Sequence, residues 1–178
     1  MDNKPKDPLL SAATVLVVLS QIVMIFGMVM LGIGIGALLS VGRAEVLAKI
    51  AQAGAPDGAY WLLLAASALI MGMLMLGYRF FQELGSVVSS VGDGEPFRAD
   101  NATRLSRMGW ISVAAHGLGL VIGGMVAWFA PYVEKMGGHS EMGFGVDGGA
   151  ILLTLILFIL ARVFRHGAEM REELEGTV

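Results

Sequence analysis

The sequence predicts an all-α polytopic membrane protein: a bundle of four transmembrane helices with a cytoplasmic amphipathic loop and a cytoplasmic helical tail. Three observations predict it. Of 178 residues 56% are hydrophobic and 15% charged, too apolar a balance for a soluble domain, in which charged residues make up about 25%. The charges are clustered, which leaves four long uncharged runs between them. Lys and Arg are also divided unequally between the two sides of those runs.

A bilayer core about 30 Å thick takes about 20 residues of helix to cross. The chain has 35 uncharged residues from Pro8 to Gly42, 21 from Gly58 to Tyr78 and 26 from Met108 to Val133, which places spans at about 10–40, 59–78 and 108–132. The fourth run, Gly148 to Ala161, has only 14, or about 21 Å of helix. It is expected to cross as 148–164, because Arg162 can extend its guanidinium to the headgroups while Asp147 caps the opposite end. The first run is about twice as long as a usual signal-peptide core and no small-x-small cleavage site follows it, so it is expected to be retained.

Orientation follows from the cations. Lys4, Lys6, Arg79, Arg98, Arg104, Arg107, Arg162, Arg165 and Arg171 fall on one side of the runs, and Arg43, Lys49 and Lys135 on the other. Positive charge is retained on the cytoplasmic face, so both termini and the loop 79–107 are expected inside. Tyr60, Trp61, Trp110, Trp128 and Tyr132 stand at run ends, where interfacial aromatics belong.

In the loop, Phe80, Phe81, Leu84, Val87, Val88 and Val91 recur at helical spacing, which predicts a continuation of span two along the inner membrane surface. Gly92, Asp93 and Gly94 break it, and Pro96 imposes an extended step. A new helix follows, with Asp100 or Asn101 as its cap and Asp100 paired to Arg104, and runs into span three. The tail, 165–178, starts with Arg165 and His166 at headgroup level. The acidic series Glu169, Glu172, Glu173 and Glu175 follows, a solvated face or a docking surface.

Small residues four apart mark helix contacts in lipid. Gly32, Gly36 and Ser40 form one such stripe, and Ala115, Gly119, Gly123 and Ala127 another, each expected inside the bundle or at the seam of a homo-oligomer. Met71, Met73 and Met75 are two apart and point in different directions on a helix, so they suit flexible packing better than copper binding. Gln21 and His116 are the polar groups that stand out within the spans. Both helices leave the same face, which lets the two residues meet; an interhelical hydrogen bond is favoured over a proton relay, because no acidic group lies at comparable depth.

Much chemistry is excluded. Without cysteine there is no disulfide, thiolate nucleophile or cysteine-held cluster. His139 with Glu141, and His166 with Glu169, lie in opposite compartments and cannot pool their ligands, so no metal or other cofactor is expected. The glycine stretches fit no phosphate-loop or dinucleotide pattern. A net charge of −3 argues against direct nucleic-acid binding. No catalytic constellation emerges.

Two motifs carry a likeness. Gly94-Glu95-Pro96-Phe97 with Asn101-Ala102-Thr103-Arg104-Leu105, and Ile159-Leu160-Ala161-Arg162-Val163-Phe164-Arg165-His166-Gly167-Ala168-Glu169 with the terminal Thr177-Val178, resemble a family of bacterial four-span membrane proteins known as domain of unknown function 2975. The likeness covers nearly the whole chain. It departs from the family tail, where Asn or Asp often precedes the last Thr-hydrophobic pair; here Glu175-Gly176 stands. The resemblance implies a bacterial inner membrane and genes often next to a Cro-type helix-turn-helix regulator; it brings no catalytic residues.

The two motifs and the charge count point to one face. The loop and tail are therefore expected to share a cytoplasmic interaction surface of Gly94, Pro96, Phe97, Asn101, Arg104, Arg165, Glu169 and Glu172. Phe97 would insert at the base of the bundle, and Arg104 would pair with Glu169 or Glu172. The first functional reading is a non-enzymatic membrane regulator holding a cytoplasmic transcription factor. The second is a small transporter or channel component.

Overall fold

The computed structural model describes residues 8–56, 58–135 and 148–175. Among these it contains five helices: α1 (Pro8–Leu39), α2 (Arg43–Gln52), α3 (Ala59–Gly92), α4 (Ala99–Lys135) and α5 (Gly148–Glu175), with no strand. Four of them, α1, α3, α4 and α5, are long and apolar enough to cross a membrane. The chain is thus an all-helical, multi-pass membrane protein. Its spanning helices have 32, 34, 37 and 28 residues, or about 42–56 Å each, longer than the hydrocarbon core alone requires.

The side chains of α1 fit this setting. Apolar residues surround it on all sides, Val17 is its one buried residue, and Leu16, Val23, Phe26 and Ile33 project outward. A helix apolar all round is one whose solvent is lipid. Trp61 and Trp110 are each 65% exposed.

Helix α3 continues without interruption to Gly92, so residues 79–92 continue the second span as their helical spacing predicts. Its end is built by hydrogen bonds: the Gly94 amide donates to the Val91 carbonyl at 3.1 Å and the Glu95 amide to that of Ser90 at 3.0 Å. This closing motif needs a left-handed residue, and Gly94 supplies it with φ +82°. Helix α2 closes in the same way at Gly54, φ +68°.

The chain divides into two compact units. The first comprises 1–24, 77–114 and 147–178, and the second 25–76 and 115–146. Of the described Lys and Arg residues, seven belong to the first unit and three to the second. In the first unit Leu105, Met108, Leu157 and Ala161 form the buried cluster, with Phe80, Leu84 and Phe164 against it. In the second, Ile50 of α2 packs with Ala59 and Tyr60 of α3, surrounded by Val46, Leu64 and Phe129. Tyr60 is therefore a core residue, 3% exposed, and not an interfacial aromatic; its hydroxyl donates to the Leu38 carbonyl at 2.8 Å, capping an orphan acceptor at the end of α1. Arg43 lies over its ring at 5.7 Å.

Candidate functional site

The most elaborated polar structure lies where α3 ends and α4 begins. Asn101 is fully buried. Its Nδ2 donates to Ser90 Oγ at 2.6 Å and to the Pro96 carbonyl at 2.9 Å, and its Oδ1 accepts from Arg104 Nη1 at 3.1 Å. Ser90 Oγ donates in turn to the Val87 carbonyl at 2.7 Å, and Arg104 Nη1 reaches the Ser86 carbonyl at 3.3 Å. One amide thus ties α3, the turn and α4 together with its polar atoms partnered.

Two expectations are corrected by this arrangement. Asn101 does not cap α4, which begins two residues earlier at Ala99; it is an interior helix residue turned back onto α3. Asp100 occupies the first turn, where its charge suits the helix dipole. Arg104 pairs with neither Asp100 nor a tail carboxylate but with Asn101 and the Ser86 carbonyl. A chain reversal that brings Ser90 and Pro96 to the amide is invisible to a local capping pattern.

Phe97 joins this turn to α5. Its ring lies 5.4 Å from that of Phe164, and a Cβ added at Gly167 would stand 2.7 Å from its Cδ1. The ring is seated on bare backbone that only glycine provides. It remains 44% exposed, resting on the side of α5 rather than inserted into the core. The turn and tail also bound a shallow depression of about 300 Å³, lined by charges that include Glu95, Arg98, Asp100, Arg171 and Glu172. Gly94, Pro96, Phe97, Asn101 and Arg104 are therefore brought together, and Glu172 borders them. Glu169 faces His166 instead, at 3.6 Å. Arg165 lines a groove between α4 and α5.

Gln21 belongs to the first unit and His116 to the second. Gln21 lines a polar cleft of about 520 Å³ with Thr14, Gln82, Glu83, Ser86 and Ser89. Glu83 in that lining is ion-paired to Arg107 at 3.3 Å. Of the glycine stripes, Gly119 faces Met73 at 3.7 Å, Gly32 faces Met71 at 3.9 Å, Gly123 is half-buried, and Gly36 has open space where a side chain would stand. Closer approaches occur at Gly85 on Val17 and Gly109 on Phe158. A polar contact between Ser112 and Thr154, 2.6 Å apart, joins α4 to α5. None of these stands in a sequence stripe; an isolated small or hydroxyl residue facing an apolar helix was the available signal. The expected roles of Asp147, His139 with Glu141, and Thr177-Val178 fall outside the described residues. Among the described residues no three His, Asp or Glu side chains gather as a metal site would require.

A family described as proteins of unknown function (DUF2975) matches residues 44–178. No curated protein and no solved structure matches the chain.

Proposed function

The chain belongs to the DUF2975 family of proteins of unknown function, and from that membership we propose that it is a non-enzymatic regulator in a bacterial inner membrane, with both termini cytoplasmic, that docks a cytoplasmic protein. The observation that carries this reading is the joint between turn and tail. Phe97 on Gly167, fixed from behind by Asn101, makes two segments far apart in sequence into one surface. A turn needed only to connect α3 and α4 has no use for a buried amide hub and an aromatic clasp on a third helix. The charges of both signs around the depression suit recognition of a protein surface more than of one small ion.

The partner fitting the resemblance is a helix-turn-helix regulator encoded beside the gene. Tagged full-length protein in membranes should capture it, and Arg98→Glu with Glu172→Lys should lower capture about tenfold while insertion is unchanged. Undiminished capture by that variant and by a chain truncated after Phe164 would refute the proposal.

A second reading, a small transporter or channel component, draws on the polar cleft at Gln21, since polar groups at membrane depth line solute paths. Vesicles reconstituted with the protein should then show an ion or solute flux that Gln21→Ala changes.

A further inference from the structure

A groove of about 1130 Å³ runs between α4 and α5 on the side of α5 that carries Arg162 and Arg165. We infer that it is a binding site for an anionic phospholipid, with the phosphate held by Arg162 and Arg165 and an acyl chain laid over Phe158 and Ile159. The groove shares Phe97 and Gly167 with the joint that carries the docking reading, but the inference needs no protein partner.

The groove changes character along its length. Phe158 and Ile159 line it first, Arg162 and Val163 follow one turn on, and Arg165 and His166 another turn beyond. Ile159 to Arg165 spans about 9 Å of helix rise. A phospholipid changes over a similar length from hydrocarbon to phosphate. Trp110, 65% exposed, packs edge-on to Phe158 at 5.6 Å, and exposed tryptophan settles at the boundary between acyl chains and headgroups. The Phe158 end therefore lies at chain depth, and the end that holds Arg162, Arg165 and the Phe97 ring lies at headgroup depth.

The cations are available. Arg162 and Arg165 are exposed and three apart on one helix face, and neither has a hydrogen-bond or ion-pair partner among the described residues. Guanidinium groups match phosphate oxygens in bidentate geometry, and basic grooves between spanning helices are the usual seats of anionic headgroups. Ser106 of α4 also lines the groove, and its hydroxyl has no partner among the described residues, which provides a third donor. Glu169, the carboxylate in the lining, stands beyond Arg165 and faces His166 at 3.6 Å, so the cationic stretch is bounded on its outer side. A free phosphate would use only the basic half; a lipid uses both.

Native mass spectrometry of the full chain in detergent, offered equal amounts of phosphatidylglycerol and phosphatidylcholine, tests the assignment. Wild-type protein should retain phosphatidylglycerol, and Arg162→Gln with Arg165→Gln should lower retention about tenfold or more, since each cation near an anionic surface contributes separately. Arg43→Gln with Arg79→Gln removes the same charge elsewhere and should leave retention intact. Arg165→Gln alone gives a smaller loss and serves if the double variant fails to insert. Equal retention of both lipids, equal losses in the two double variants, or displacement of the lipid by an equal concentration of inorganic phosphate would overturn it.

Discussion

The two units bring helices together by different means. In the first, an added Cβ would meet Val17 at 3.1 Å from Gly85, Phe158 at 2.8 Å from Gly109 and Phe97 at 2.7 Å from Gly167. In the second, a Cβ added at Gly27, Gly32, Gly72 or Gly119 would stand 3.4–3.9 Å from its nearest neighbour, ordinary contact against the flexible ends of Leu and Met side chains. The first unit also holds the Asn101 network and the Ser112–Thr154 contact. Aromatic rings and polar hubs specify one geometry, whereas Met and Leu adapt to many. Structural specificity is thus concentrated in the arginine-rich unit, and the glycine stripe most visible in the sequence belongs to the looser one.

The largest effect expected from a single change is at Asn101. Asn101→Ala leaves Ser90, Arg104 and the Pro96 carbonyl without their buried partner and should cost about 2–3 kcal/mol. Unfolding in detergent measures the loss, and amide exchange at Gly94 and Glu95 should rise with it. A loss below about 0.5 kcal/mol would make the hub decorative and remove half of the contrast between the units.

Glycine substitutions test the other half. Gly109→Ala drives a methyl into the Phe158 ring and should cost about 1–3 kcal/mol. Gly119→Ala meets only Met73 Cε at 3.7 Å and should be neutral or gain up to about 1 kcal/mol from its higher helix propensity. Equal effects at the two positions would erase the distinction.

The spans were legible because length in lipid is set by hydrophobic thickness, and 35, 21 and 26 uncharged residues leave little choice. The break at Gly94 was legible for a similar reason, since left-handed backbone selects glycine. Helix α2 was not assigned from the sequence: its ten residues average near-zero hydrophobicity, and what holds it is Ile50 docking on Tyr60. Gly94, Pro96, Phe97, Asn101 and Arg104 were picked out together, but Asn101 is buried rather than on a surface, and the partners among these residues were not foreseen. Arg104 was matched to a carboxylate by charge, while its acceptors are a carbonyl and an amide oxygen that only the fold brings near. Gly109 and Gly167 escaped a search for regular spacing because each serves one ring.

Tyr60 is a polar tie within the second unit. Tyr60→Phe keeps the ring in its cluster and removes the bond to the Leu38 carbonyl, so about 1 kcal/mol should be lost. A cost equal to that of Asn101→Ala would show that the second unit is specified as tightly as the first.

The smallest effect is expected on α2, where Glu45 and Lys49 form an exposed i, i+4 pair at 2.8 Å. The hydrogen bond from Lys49 and its charge hold the Glu45 carboxyl below the ordinary glutamate range. A depressed acid stabilises the fold fully above its unfolded pKa, and that contribution disappears as pH falls through the lower, folded value. Amide protection factors in 43–52, corrected for the intrinsic pH dependence of exchange, should therefore fall on acidification below about pH 4.3, and Lys49→Ala should remove the part of that dependence due to the pair. Because both side chains are well exposed and screened, the change should be confined to α2. Loosening of α4 and α5 over the same pH interval in the wild type, abolished by Lys49→Ala, would show that this exposed pair governs the tighter unit as well.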